Sequence, residues 1–153
     1  MGTFRESILI EAPREAVWAA LADIGEIHRW NPGVHDSRRT SEQAEGVGAT
    51  RYCDLGGRNY LDEEVVAWDP PERLTMRVVE TNLPFDHADI HFTLREGAGG
   101  TVVAVSPEYA LKYGPVGALL DRLWVRQQYR RGMEALLSGL KAHVERVATE
   151  AQR

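Results

Sequence analysis

Cysteine is all but missing: Cys53 is the single one in 153 residues. A lone thiol excludes an intrachain disulfide framework and any structural zinc site built on cysteines, and it suits a reducing cytoplasm. Basic charge is short as well. With 18 Lys+Arg against 23 Asp+Glu the formal charge is −5, a poor basis for nucleic-acid binding, which depends on cations that neutralise phosphates. No apolar run approaches the roughly 18 residues of a membrane span. The start, Met1-Gly2-Thr3-Phe4-Arg5-Glu6, has no apolar signal core and carries Glu6 where a myristoylation signal wants Ser or Thr. No Gly-rich phosphate loop, Gly-x-Ser-x-Gly elbow or His-Glu-x-x-His helix occurs. A soluble chain is expected, with no cofactor, no metal and no nucleic-acid partner.

Internal repeats and Pro-, Gly- or Ser-rich linkers are absent too, so residues 1–153 read as a single domain with one core. What is present falls into three regimes. Phe4–Glu11 reads as a strand, and Pro13 then suits the first turn of a helix that carries Val17, Ala20, Leu21 and Ile24 at helical spacing. A second short helix, about Gly25–Trp30, stops before Pro32. From His35 to Leu111 the period is two, with strands at Ala49–Leu55, Arg58–Trp68, Arg73–Glu80, Phe85–Glu96 and Thr101–Leu111. Gly56-Gly57, Asp69-Pro70-Pro71-Glu72 and Gly97-Ala98-Gly99-Gly100 punctuate them, which spells an antiparallel meander. Finally Gly114-Pro115 opens a helix to about Ala148, roughly 50 Å long. Its apolar face, Leu119, Leu123, Met133, Leu136, Leu137, Leu140, Val144 and Val147, needs a curved sheet to cover it.

The same order and several local motifs resemble the START/Bet v 1-like (SRPBCC) superfamily, in particular its polyketide cyclase/dehydrase-like bacterial branch. The resemblance runs through Ala12-Pro13-Arg14-Glu15-Ala16-Val17-Trp18, Trp30-Asn31-Pro32-Gly33 and Glu64–Leu74, then Gly99-Gly100-Thr101-Val102-Val103 and the terminal helix around Leu137, Leu140-Lys141 and Val144. It implies an α+β helix-grip fold: a curved seven-stranded antiparallel sheet around the long C-terminal helix, two short helices after the first strand, and a cavity between sheet and helix. The fold alone does not fix the chemistry, since it serves carriers, receptors and cyclases.

Alternation along strands names the inward faces. Thr101, Val103, Val105, Pro107 and Tyr109 form one row; Ala88, Ile90, Phe92 and Leu94 form another; Leu74, Met76 and Val78 form a third. Two inward faces carry polar residues. Arg51 shares a face with Cys53 and Leu55, and Asn59 and Glu63 share one with Leu61, Val65 and Ala67. Adjacent antiparallel strands can bring Arg51 and Glu63 into pairing distance, where buried charge demands a partner. The resemblance gives the two residues further roles: Arg51 resembles the arginine proposed to polarise carbonyls in the aromatase/cyclases, and Glu63 a pocket carboxylate of plant hormone receptors. The expected ligand-lining set is Trp30, Arg51, Cys53, Asn59, Glu63, Met76, Ile90, Phe92, Val103, Val105, Tyr109, Tyr129 and Met133, Arg51 and Glu63 being the catalytic candidates.

Three functions compete on this reading. One is binding or carriage of a small hydrophobic or aromatic molecule, the usual use of an apolar cavity with few polar contacts. Another is an aromatase/cyclase or dehydratase in which Arg51 steadies an enolate oxyanion and Glu63 shuttles a proton. The third is a protein-interaction module. His87, Asp89 and His91 alternate on one face, which reads first as a solvent face rather than a metal site. Arg122, Arg126, Arg130 and Arg131 read as a solvated helix face or an anion surface.

Overall fold

A computed structural model describes residues 2–151. The chain begins with β1 (Gly2–Thr3) and β2 (Glu6–Ile10), two short pieces where the sequence suggests one strand. Helix α1 (Arg14–Ala22) and a 3-10 segment (Ile24–Arg29) follow. The meander comprises β3 (Asp36–Arg39), β4 (Thr50–Gly56), β5 (Asn59–Asp69), β6 (Arg73–Thr81), β7 (Phe85–Gly97) and β8 (Gly100–Leu111). Every pairing is antiparallel, in the order β1-β8-β7-β6-β5-β4-β3, with β2 also on β8. The sheet therefore has seven rungs with β1 and β2 as two halves of one edge. Register shifts at Asp54/Gly56, Asp62/Glu63, Val65/Ala67 and Phe85/His87 are the local bulges that increase twist and let a sheet curl.

The C-terminal rod runs through α2 (Gly114–Leu120), a π turn (Asp121–Val125) and α3 (Arg126–Ala151) without leaving helical geometry at the joins. It is unbroken, as the sequence suggests, but its apolar face is buried only in part. Met133, Leu136, Leu137, Leu140 and Val144 are in the core, whereas Leu119, Leu123 and Val147 are exposed. A π turn adds one residue to a turn and so rotates everything after it relative to what precedes it. A face read at a constant 3.6-residue period across Asp121–Val125 is thus out of phase on one side.

The core joins both ends of the chain: Ile10, Val17 and Leu21 pack with Leu74, Met76, Val103 and Val105 from the sheet and Leu136 and Leu140 from α3. Trp18 and Trp68 meet edge to face, with centroids 5.2 Å apart. Gly139 explains how closely α3 approaches the loop after the 3-10 segment. A Cβ there would lie 1.9 Å from the Trp30 carbonyl oxygen, so the helix seats on Trp30 and Pro32 only because the side chain is missing. Gly132, the other helix glycine, faces open space at the cavity.

Candidate functional site

Where α3 fills the concave face with Leu140 and Val144 the interior is solid; toward its N-terminal end it is not. There the sheet, the helix and the loops leave a cavity of about 450 Å³. Strands β4 to β7 supply Leu55, Leu61, Val78, Ala88, Ile90 and Phe92, and the helix supplies Val125, Tyr129, Gly132 and Met133. Ile27, Asn31 and Val34 close one side, and Leu83, Pro84, Phe85, Leu111 and Trp124 rim another. Pro84 and Trp124 are exposed, so this rim meets solvent.

The wall is mostly apolar, and its charged residues are gathered at one place. β4 and β5 form a hairpin across Gly56-Gly57 whose register sets Arg51 opposite Glu63. Alternation aims both inward, and they are 4% and 2% exposed. Arg51 Nε donates to Glu63 Oε1 at 3.0 Å, and Arg51 Nη1 donates to the Ile24 carbonyl at 3.2 Å. The Cys53 thiol donates to the same Oε1 at 3.6 Å. Burial pushes that thiol up to about 12, more than the nearby Arg51 cation pulls it down. Glu63 Oε2 is buried and has no hydrogen-bond partner. An unmatched carboxylate oxygen in a wall costs free energy that the fold must offset elsewhere.

Tyr129 stands on the helix across from this pair. Its ring packs against Tyr109 at 5.0 Å, Phe4 at 5.5 Å and Phe85 at 5.8 Å. Burial, with a smaller contribution from the Glu63 charge, pushes its phenol well up, so it stays a neutral hydroxyl.

Of the residues that alternation and resemblance single out, Arg51, Cys53, Glu63, Ile90, Phe92, Tyr129 and Met133 line the cavity. Six do not. Met76, Val103 and Val105 point inward but are fully covered, because the helices fill the space beside them. Tyr109 is fully buried and gives its hydroxyl to the Asp121 carboxylate, tying the π turn to β8. Trp30 is buried under α1 and α3, with its indole N–H unpartnered, and its neighbour Asn31 reaches the cavity instead. Asn59 is exposed at the hairpin tip, just beyond the irregularity at Asp54/Gly56. Leu61, Val78 and Ala88 are the opposite omission. They share inward faces with the chosen residues, and that phase was their signal. Leu83, Pro84 and Trp124 at the rim carried no strand period to reveal them.

Several members of the two remaining polar clusters are paired locally. Asp89 accepts from Arg77 Nε at 2.9 Å and Nη2 at 3.1 Å, which holds its carboxyl below the ordinary range. His91 bonds Thr75 and Glu108. Among the described residues no group of three or more His, Cys, Asp or Glu gathers as a metal site requires. Arg126 lies 3.8 Å from Asp121, and Arg130 pairs with Glu6 while covering the Phe4 ring. Among the described residues no helix is long and apolar enough to cross a membrane.

Comparison with known proteins places these features. A family model described as polyketide cyclase / dehydrase and lipid transport matches residues 1–145. An uncharacterized protein of Mycobacterium tuberculosis is 30% identical over 77 residues, 50% of this chain and 46% of that protein's length, so the match spans about half of either. Many solved structures share the fold, among them these three. TTHA0849 from Thermus thermophilus is 23% identical, covering 94% of this chain and 97% of its own, with TM-score 0.77. A START superfamily protein from Mycobacterium smegmatis is 14% identical over 95% and 98%, with TM-score 0.75. The Zhui aromatase/cyclase from a Streptomyces species is 17% identical over 95% and 94%, with TM-score 0.77.

Proposed function

The chain belongs to the polyketide cyclase/dehydrase and lipid transport family, and from that premise we propose that it binds and carries a small hydrophobic molecule in the cavity between sheet and helix. The observation that carries this reading is the wall itself: about 450 Å³ lined by Leu55, Leu61, Val78, Ile90, Phe92 and Met133, with a single charged pair among them. Small-molecule sites are mostly apolar and depend on a few polar groups for orientation. Burying such a molecule gains roughly 25 cal/mol per Å² of apolar surface before the costs of association.

The catalytic alternative asks Arg51 to meet an oxyanion and Glu63 to pass a proton. Both duties need groups free to change partner during a turnover. Arg51 instead holds Glu63 and the Ile24 carbonyl, and Glu63 Oε1 holds Arg51 in return, with Oε2 covered and unpartnered. That arrangement favours the carrier over the cyclase.

Native mass spectrometry of the protein purified from its own host tests the proposal. A discrete small-molecule adduct, released when the chain is unfolded, is the expected result. Bare polypeptide, together with no uptake of apolar dyes, would overturn it.

A further inference from the structure

The stretch from Lys112 to Arg131 carries a surface that the core leaves uncovered. Tyr113, Val116, Leu119, Leu120, Leu123 and Trp124 are all exposed, Val116 by 62% and Trp124 by 61%. The other exposed large apolar residues among those described, Leu9, Val47, Val79 and Val147, stand singly along the chain. Spacing puts the cluster in order. Gly117, Asp121, Val125 and Tyr129 recur every four residues and turn toward the protein. Val116, Leu120 and Trp124 precede them by one position and Leu119 and Leu123 by two, while Arg122, Arg126 and Arg130 follow by one. The π turn at Asp121–Val125 lets a four-residue period hold across the join, where an α-helix alone would drift. This end of the rod thus has an apolar side and a cationic flank. Charge is segregated to match: residues 112–131 hold five Lys/Arg and one Asp, a net +4 in a chain of −5, so the remainder carries −9. Arg126 and Arg130 are engaged by Asp121 and Glu6, but Lys112, Arg122 and Arg131 are exposed and have no ion pair among the described residues.

We propose that this face docks on an anionic phospholipid surface, with α2 and the π turn lying in the headgroup plane. A helix lies on a bilayer rather than across it when one side is apolar and the flank is basic, and tryptophan favours that depth. Each Lys or Arg brought to an anionic leaflet adds about fivefold in affinity. The acidic remainder is repelled, so this end of the molecule leads. A second copy fits the face less well, because a two-fold contact would set one cationic flank against the other. A bilayer needs no matching shape, and the apolar side chains here project from a helix instead of lining a groove. Trp124 belongs both to this face and to the cavity rim, so docking sets the mouth of the cavity at the lipid. The inference rests on the surface and not on what the cavity holds.

Co-sedimentation of the full chain with vesicles of phosphatidylcholine, alone or mixed equally with phosphatidylglycerol, tests this. The protein should pellet with the mixed vesicles, stay in solution with phosphatidylcholine alone, and be released as salt screens its cations. Trp18 and Trp30 are buried and Trp68 half-buried, so Trp124 is the tryptophan that reports the surface. Its emission should shift to the blue on the mixed vesicles, and Trp124→Phe should remove that shift while most of the binding remains. Leu119→Ser with Leu123→Ser, and separately Arg122→Glu with Arg131→Glu, should each weaken vesicle binding by about tenfold or more. All four residues are exposed and outside the cavity wall, so circular dichroism and dye uptake should not change. Failure of the wild type to pellet, equal pelleting with both kinds of vesicle, or unaltered binding by both double variants would overturn the proposal. A dimer that ignores vesicles and is broken by Leu119→Ser with Leu123→Ser would also overturn it and give the face to a second copy.

Discussion

Arg51 and Glu63 carry opposite charges out of water on adjacent strands, and burial makes each depend on the other. Replacing Arg51 by Met strands a carboxylate among Cys53, Leu61 and Ile27 and should cost about 3 kcal/mol or more in urea denaturation. The double change Arg51→Met with Glu63→Gln should recover much of that loss, since no unpaired charge remains. Equal losses in the single and double variants would show that the pair contributes no mutual dependence. Cys53, next to the pair, gives a pH signature. Its folded thiol ionises near 12 against an ordinary 9.0, so at intermediate pH the unfolded chain loses the proton first. Stability from this neutral thiol is full below pH 9 and is lost as pH rises through the folded value. At about pH 8, below both values, an alkylating reagent should modify the buried Cys53 only after denaturation, as mass spectrometry of the labelled chain would reveal.

At the scale of elements, the helix and the hairpin differ in how much their sequences disclose. In the hairpin, strict alternation and the Gly56-Gly57 turn make the inward placement of Arg51 and Glu63 legible, and the register then sets them opposite each other. In the helix, the residues from Met133 to Val144 announce a buried face, but the π turn that rotates Leu119 and Leu123 outward leaves no mark in the composition. Gly139 marks a contact that spacing alone does not disclose: the bare Cα lets α3 rest on the Trp30 carbonyl. Alanine there gains about 1 kcal/mol of helix propensity, yet its Cβ meets backbone that cannot step aside. Gly139→Ala should therefore lower the melting temperature, with a cost of about 1–3 kcal/mol from overpacking outweighing the propensity gain. Gly132→Ala, facing open cavity, should not.

For the whole molecule the question is which inward residues face packing and which face space. Period two distinguishes inside from outside but is silent on whether the inside is full, which is why Val103, Val105 and Met76 read like Ile90 and Phe92 in sequence and not in structure. The difference depends on where a helix from the far end of the chain stops filling the sheet, a long-range property. It yields a contrast between two tryptophans. Val105→Trp enters a filled core, where an added ring forces side chains off their rotamers, and should destabilise the protein generally. Val78→Trp enters the cavity and should keep the fold while removing the room for a ligand. The most direct test of the cavity's role is titration of an environment-sensitive apolar dye into wild-type protein and Val78→Trp, with circular dichroism to verify the fold. The carrier account predicts saturable binding by wild type and severalfold weaker binding by the variant; equal affinity in two equally folded proteins would contradict it.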